Sequence, residues 1–182
     1  MKAKGWLLAM VVLSVVGCNG EAPPEEAAPA EEAEAAAEPT VEEMVAEMEA
    51  DCAAAAETIA ARQAESSLYE RLGGREAIHG VVTVTVRLHR ENETIVHVME
   101  GVDDAHLIEQ VTDFLAQAAG GDETYEGRDM VTAHAHLELT NEHFLAAGGD
   151  VQTALQTAGV GENEIQEVMC MFVSLRSEVV AS

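Results

Sequence analysis

Basic side chains are scarce in this sequence: its 182 residues include 9 lysines and arginines against 34 aspartates and glutamates, for a formal net charge of −25. A chain of this charge is repelled by the phosphates of nucleic acids and by anionic membrane surfaces. The composition therefore argues against nucleic acid as a partner. We interpret the acidic excess as a device for solubility and spacing rather than as a metal site.

The start of the sequence lacks an apolar run long enough to cross a bilayer as a helix. The run at residues 6–16 is too short for that, and it follows the positive charges of Lys2 and Lys4. A short apolar run behind a positive start is typical of a secretory signal. We therefore expect residues 1–17 to be a signal peptide.

The signal ends in the residues Val-Val-Gly-Cys at 15–18, which resemble a bacterial lipobox. At such a motif the chain is cut before the cysteine, which is then acylated, and several acyl chains hold a protein firmly on a membrane. We expect lipidation at Cys18 and a protein anchored at the periplasmic face of the cell envelope. Asn19 slightly favours the outer membrane, because an aspartate there often retains lipoproteins at the inner membrane. The alternative is an ordinary cleaved signal with an unmodified cysteine.

Large apolar side chains are almost missing from residues 20–40, which consist mainly of alanine, glutamate and proline. Such a segment cannot bury enough surface to offset the entropy of its chain. We expect residues 18–40 to be a lipidated, acidic linker that is disordered and repels itself.

Cysteine is rare as well, with three in the chain. If Cys18 carries lipid, Cys52 and Cys170 remain, and in an oxidising compartment they could pair. A bridge needs Cα atoms about 4.4–6.8 Å apart, which the sequence alone cannot establish. The sequence is compatible with the pairing, but two separate buried or half-buried thiols are the favoured expectation.

Signals for paired strands, hairpins and internal repeats are missing, and helical periodicity takes their place. In residues 41–65 apolar side chains recur at helical spacing, which predicts an N-terminal helix. This helix could pack on the main domain, extend as a stalk or contact a partner.

Residues 66–182 predict a compact helical domain. Ser67 and Glu70 form a capping box, and a glycine pair at 73–74 ends the short helix that they open. Further helices are expected at about 75–90 and 104–118, then around His134, after Thr140 and towards the C-terminus. The valines of the 75–90 segment also suit a strand, but its apolar residues lie close to one helical face.

Several spaced motifs occur together in this domain. Residues 68–78 read LYERLGGREAI, residues 114–121 read FLAQAAGG, and Tyr125, Gly127, Met130, His134, Thr140, His143 and Phe144 follow. Together they resemble the group 1 truncated haemoglobins over about residues 67–180. The resemblance implies an all-α fold, a two-on-two helical sandwich around haem b, here preceded by the linker and the extra N-terminal helix.

His134 falls on the proximal histidine of that family, so the resemblance implies that it binds the haem iron. This chemistry needs a neutral imidazole whose second nitrogen donates to a backbone carbonyl. His136 lies about 200° further around the helix, so we expect it at the surface. Tyr125 is retained from the family and is expected beside the cofactor.

The residues expected on the ligand side depart from the family. Val86 stands where a tyrosine commonly donates to oxygen, and Met99 stands where a phenylalanine is usual. Leu107 and Val111 take the two ligand-facing positions of the next helix, and Gln110 is one residue, or about 100°, away from the second. The expected pocket is therefore apolar. It predicts weak retention of oxygen, easier autoxidation and relatively better binding of carbon monoxide or nitric oxide.

These observations favour a membrane-anchored haem protein that binds a diatomic gas, namely oxygen, nitric oxide or carbon monoxide, at iron held by His134. Met99 or His106 as a sixth iron ligand is a less favoured variant. The alternative is a haem-free globin fold that serves as an interaction or structural module, which the aromatic content of 3% supports. No serine–histidine–acid or paired-carboxylate arrangement indicates catalysis beyond haem chemistry, and no redox partner is indicated.

Overall fold

The computed structural model of the protein describes residues 38–181. The expected signal peptide, Cys18 and all but the end of the acidic linker lie outside these residues. Within the described part, no helix has both the length and the apolar character that crossing a membrane requires.

Eight α-helices make up the described chain, together with two short 3₁₀ turns, and no strand occurs among residues 38–181. The helices are α1 (Val41–Glu65), α2 (Leu68–Leu72), α3 (Gly74–Glu91), α4 (Asp104–Ala118), α5 (Met130–His134), α6 (Asn141–Thr157), α7 (Glu162–Ser174) and α8 (Arg176–Val179). The 3₁₀ turns are Val96–Met99, between α3 and α4, and Ala135–Leu137, directly after α5.

Local signals set the helix ends. Ser67 and Thr140 accept hydrogen bonds from backbone N–H groups of the first turns of α2 and α6, as the sequence predicts. Gly73 ends α2 with a φ of 94°, a left-handed conformation that a side chain would disfavour. Asp103 caps α4 in the same way as the serine and threonine.

Helices α3, α4, α6 and α7 form the two-on-two sandwich that the resemblance implies. The pair α3–α4 meets the pair α6–α7 where α3 crosses α6. The inner residues of α3 supply both halves of the core: Val81 packs with Leu155 and Val168, while Ile78 and Val82 pack towards α4. The valine-rich segment is a helix because its apolar residues share the face that this packing buries.

Helix α1 packs on α7 and α6 and belongs to the same compact unit as the helices that follow it. Cys52 of α1 forms a disulfide with Cys170 of α7, with Cα atoms 5.4 Å apart. The favoured expectation of two separate thiols was therefore wrong. The bridge forms because the position of α1 against α7 brings together two residues that are 118 apart in sequence. No local sequence pattern reveals that position.

A buried carboxylate joins α1, α2 and α7. Glu167 is 1% exposed and accepts hydrogen bonds from Arg62 at 2.7 Å, Arg71 at 2.6 Å and Gln63 at 3.2 Å. Burial by itself would raise the pKa of Glu167, but the hydrogen bonds from Arg71, Arg62 and Gln63 outweigh it and lower that pKa below its usual value. The paired charge is thus satisfied inside the fold, which a buried carboxylate requires.

Candidate functional site

His134 is the last residue of α5 and is half-buried. Its Nδ1 lies 2.8 Å from the carbonyl oxygen of Met130, one turn earlier. A carbonyl oxygen can only accept a hydrogen bond, so Nδ1 must carry the proton. In the neutral ring this leaves the lone pair of Nε2 free, which is the tautomer that a metal-binding histidine needs.

The short helix that carries His134 is fixed from several sides. Asp129 caps it, accepting from the backbone N–H of Thr132 at 2.9 Å and from the Thr132 hydroxyl at 2.8 Å. The hydrogen bond from the Thr132 backbone contributes most to lowering the pKa of Asp129. Helix α5 packs against α8, and the chain end donates from the Ala181 N–H to the Leu139 carbonyl at 2.9 Å. His136 lies in the following turn and is exposed, as expected.

Tyr125 organises the loop between α4 and α5. Its hydroxyl donates to the carbonyl of Arg128 at 2.8 Å, and its ring meets the edge of Phe114 with centroids 5.3 Å apart. Its backbone N–H donates to the side chain of Gln117 at 2.6 Å. A Cβ on Gly127 would overlap the Tyr125 ring, so any other residue there would displace the ring. Tyr125 therefore ties the loop before His134 to α4.

A second tie holds the start of the same loop to α2. The hydroxyl of Tyr69 donates to Oε1 of Glu123 at 2.7 Å. This hydrogen bond raises the pKa of Tyr69. The glycine pair that ends α4 allows the approach, because a Cβ on Gly121 would overlap both the Tyr69 ring and the Glu123 carboxylate. The loop geometry thus depends on residues of α2 that the sequence motif contains.

Three of the four residues expected on the ligand side lie in one apolar cluster. Val86 and Met99 are 4% and 7% exposed, and Leu107 packs against them. Val111 lies outside this cluster and is 36% exposed on α4. The apolar character expected of this region is present, but its residues are not equally buried.

The hydroxyl donors next to these residues are engaged within their own helices. The hydroxyl of Thr85, the neighbour of Val86, donates to the carbonyl of Val81 at 3.0 Å. The hydroxyl of Thr112, the neighbour of Val111, donates to the carbonyl of Ile108 at 2.6 Å. Gln110 is half-buried, and its amide has no hydrogen-bond partner among residues 38–181. The two threonine protons are therefore not available to a ligand.

Sequence reasoning missed two pairings of histidines. His89 Nδ1 lies 2.8 Å from a carboxylate oxygen of Asp150, which links α3 to α6. The rings of His97 and His143 meet edge to face with centroids 5.2 Å apart. His143 Nδ1 accepts from the Thr140 N–H at 3.1 Å, as part of the α6 cap. Within the described residues, no three His, Cys, Asp or Glu side chains are grouped as a metal chelate.

Comparison with known proteins gives consistent matches. A family model for bacterial-like globins matches residues 67–181. A group 1 truncated haemoglobin of Tetrahymena pyriformis is 30% identical over 113 residues, which cover 62% of this chain and 93% of that protein. One of Synechocystis is 36% identical over 107 residues, covering 57% of this chain and 86% of that protein.

Solved structures agree. The truncated haemoglobin of Tetrahymena pyriformis in its Fe(III) form matches with a TM-score of 0.60 and 29% identity, over 64% of this chain and all of that one. The 2/2 haemoglobin of a Synechococcus, in the cyanomet state with covalently attached haem, matches with a TM-score of 0.57 and 30% identity, over 62% and 94%. Helix α1 precedes the matched residues. The chain is thus a member of the bacterial-like globins and carries, in residues 67–181, a group 1 truncated haemoglobin domain.

Proposed function

We propose that this protein binds haem through Nε2 of His134 and takes up a diatomic gas there. Membership of a family of haemoglobins implies haem as the cofactor. When bound, haem supplies the iron that a gas ligand needs, and the protein supplies the axial ligand and the apolar surroundings. The hydrogen bond from His134 Nδ1 to the Met130 carbonyl carries this proposal, because it presets the tautomer with a free Nε2.

Exposed apolar side chains on α4 and α5 also support a largely apolar cofactor. Val111 of α4 is 36% exposed and Val131 of α5 is 52% exposed. Apolar side chains that are exposed to water are unfavourable in free energy. A macrocycle in contact with these valines would remove their apolar surface from solvent. Helix α4 packs on α3, and α5 packs on α8.

The experiment is haem titration of the purified full chain, followed by its Soret absorption. We expect a Soret band with one haem per chain, lost in His134→Ala and retained in His136→Ala. The second variant is a matched control, since it removes an imidazole two residues away that is exposed. A folded protein that stays colourless with haemin would support the haem-free scaffold instead.

The gas preference follows from the residues on the ligand side. Val86, Met99 and Leu107 present only apolar groups, and the adjacent threonine hydroxyls are engaged. We propose that oxygen, which gains from a hydrogen-bond donor, is held weakly, and that carbon monoxide and nitric oxide are favoured relative to it. Oxygen release as slow as in relatives with a donor tyrosine would contradict this.

We further propose that Cys18 anchors the protein to a membrane of the cell envelope. The apolar run, the positive start and the lipobox-like residues 15–18 support this. Mass spectrometry of the N-terminal peptide should show an acylated Cys18, and Cys18→Ala should move the protein from the membrane fraction to the soluble fraction or leave its signal uncut. An unmodified Cys18 in membrane-free protein would contradict the proposal.

A further inference from the structure

The Cys52–Cys170 disulfide lines an open cavity of about 280 Å³. Both cysteines are half-buried, so the bridge lies at the surface of the cavity rather than inside the core. The other lining residues include Arg176 of α8 and Glu49 of α1, which pair at 3.2 Å. Cavities for drug-sized ligands range upwards from about 300 Å³, and this slightly smaller one has room for a thiol the size of cysteine.

We propose that this cavity is a thiol-exchange site, and that opening the bridge with a small thiol loosens the N-terminal half of α1 and, with it, the support of α5. The inference goes beyond gas binding and does not depend on it. It rests on the accessibility of the bridge, on the cation beside it and on the contacts that connect α1 to α8.

The exchange is an ordinary two-step reduction. A thiolate attacks one sulfur of the bridge, forms a mixed disulfide with it and releases the other cysteine as a thiolate. A second thiol then attacks the mixed disulfide and releases the first cysteine. In total, two small thiols are oxidised to a disulfide, and the bridge takes up two electrons and two protons. Arg176, the cation of the cavity, favours the thiolate that leaves.

The consequence of opening follows from what Arg176 joins. Its Nη1 contacts Glu49 of α1, and its Nε donates to Asn141 at the start of α6 at 2.8 Å. Arg176 begins α8, and α8 packs against α5. Opening the bridge leaves α1 held at its C-terminal end, where Arg62 and Gln63 contact Glu167. The N-terminal half of α1, which carries Glu49, loses its covalent tie to α7, and its ion pair with Arg176 is weakened. The support of α8, and through it of α5 and His134, is then weaker.

The first test measures exchange on the native full chain without haem. Cysteine is added, free thiols are alkylated at intervals, and the peptides that contain Cys52 and Cys170 are quantified by mass spectrometry. We expect both peptides to become labelled at a rate within about tenfold of that in urea-unfolded protein. A rate about a thousandfold or more below the unfolded one would mean that the bridge opens only by global unfolding, and would overturn the proposal.

Matched variants test the role of the cation. Arg176→Gln should slow the exchange about fivefold, while Arg176→Lys, which keeps the charge, should change it less than twofold. Glu49→Gln breaks the same ion pair without removing the cation, and it should not slow the exchange. Equal rates in all four proteins would show that Arg176 takes no part in the reaction.

The second test measures the coupling to α5 by amide hydrogen exchange of the haem-free chain before and after reduction. We expect about tenfold faster exchange in α8 and α5 and less than twofold change in α3. Unchanged protection of α5 would overturn the coupling. Because neither readout uses haem, failure here is distinguishable from failure of the proposed gas-binding function.

Discussion

A single hydrogen bond within its own helix sets the tautomer of His134. The Met130 carbonyl holds the Nδ1 proton, so the ring offers Nε2 to a metal without any charged neighbour. Asp129 then fixes the helix start by accepting from Thr132. The sequence motif predicts His134 and its partner type, because both depend on residues within one turn.

The distal residues could be predicted only in part. Val86, Met99 and Leu107 pack together because α3, the turn at Val96–Met99 and α4 converge there. The same helical spacing predicts that Val111 lies on this side of α4, yet its side chain remains 36% exposed. How far a residue at the edge of a cluster is covered depends on neighbouring elements, and spacing along one helix does not contain that information.

A donor at position 111 should restore oxygen retention. Val111→Gln places an amide at an exposed position, so it needs no repacking, whereas tyrosine at Val86, which is 4% exposed, would overfill the core. One hydrogen bond to the gas ligand is worth about 1–3 kcal/mol. We expect the oxygen dissociation rate to fall about tenfold or more, measured by stopped-flow displacement with carbon monoxide.

The control for that variant is Val111→Leu, which keeps the position apolar and should leave the oxygen rate within about twofold of the parent. If the glutamine and leucine variants release oxygen at the same rate, position 111 does not face the ligand.

Among the helices, α1 is the addition to the globin fold, and its ion pairs explain how it is held. Arg62 of α1 and Arg71 of α2 both reach Glu167 of α7. These partners lie more than 90 residues apart, and α1 precedes the residues that match the family model. The sequence predicts that α1 is helical, but its packing surface depends on long-range contacts that no local pattern reveals.

Removing the charge of Glu167 should destabilise the whole fold. Glu167→Gln removes the buried counter-charge of Arg62 and Arg71, although Arg71 keeps its pair with Glu164. An uncompensated buried charge costs about 3–5 kcal/mol, so with the arginines partly exposed we expect about 2–3 kcal/mol. Urea denaturation followed by circular dichroism would measure this loss in the free energy of unfolding. Glu162→Gln, at an exposed position of the same helix, should change it by less than about 0.5 kcal/mol. Similar values for both variants would contradict the account of α1 docking.

The same carboxylate predicts a pH dependence. Its pKa is lowered in the folded protein from an ordinary value of 4.5, so the folded state holds fewer protons than the unfolded state near that pH. The stabilisation from Glu167 is therefore fully present above about pH 4.5 and is lost as the pH falls through the lower folded pKa. Unfolding free energies measured from pH 7 to 3 should fall less steeply in Glu167→Gln than in the parent. Parallel curves would contradict this.

For the molecule as a whole, the disulfide is a covalent constraint between distant parts of the chain. It joins residues 118 apart and so restricts most of the unfolded domain. A loop of that length corresponds to about 5 kcal/mol in the chain-entropy model, and measured values for native bridges are about 2–5 kcal/mol. The double variant Cys52→Ser/Cys170→Ser should lose a free energy of unfolding in that range, by urea denaturation. A loss below about 1 kcal/mol would show that α1 stabilises the fold by its packing alone.

The overall architecture was the most predictable part. Apolar spacing and the glycine pair that follows predicted α4 at Asp104–Ala118, and the spaced motifs of residues 68–144 identified the two-on-two sandwich. The bridge between Cys52 and Cys170 could not be predicted, because its geometry arises only after α1 has docked on α7. Local chemistry thus determined the helices, while the constraints between distant helices required the folded structure.

The central claim is that Nε2 of His134 binds the haem iron. It is tested most directly by removing this side chain and supplying imidazole from solution in its place. His134→Gly leaves space where the imidazole stood and should abolish the Soret band. Free imidazole should restore that band, with saturation, and should have no such effect in His136→Gly, which keeps its band throughout. An undiminished band in His134→Gly without imidazole would contradict the claim.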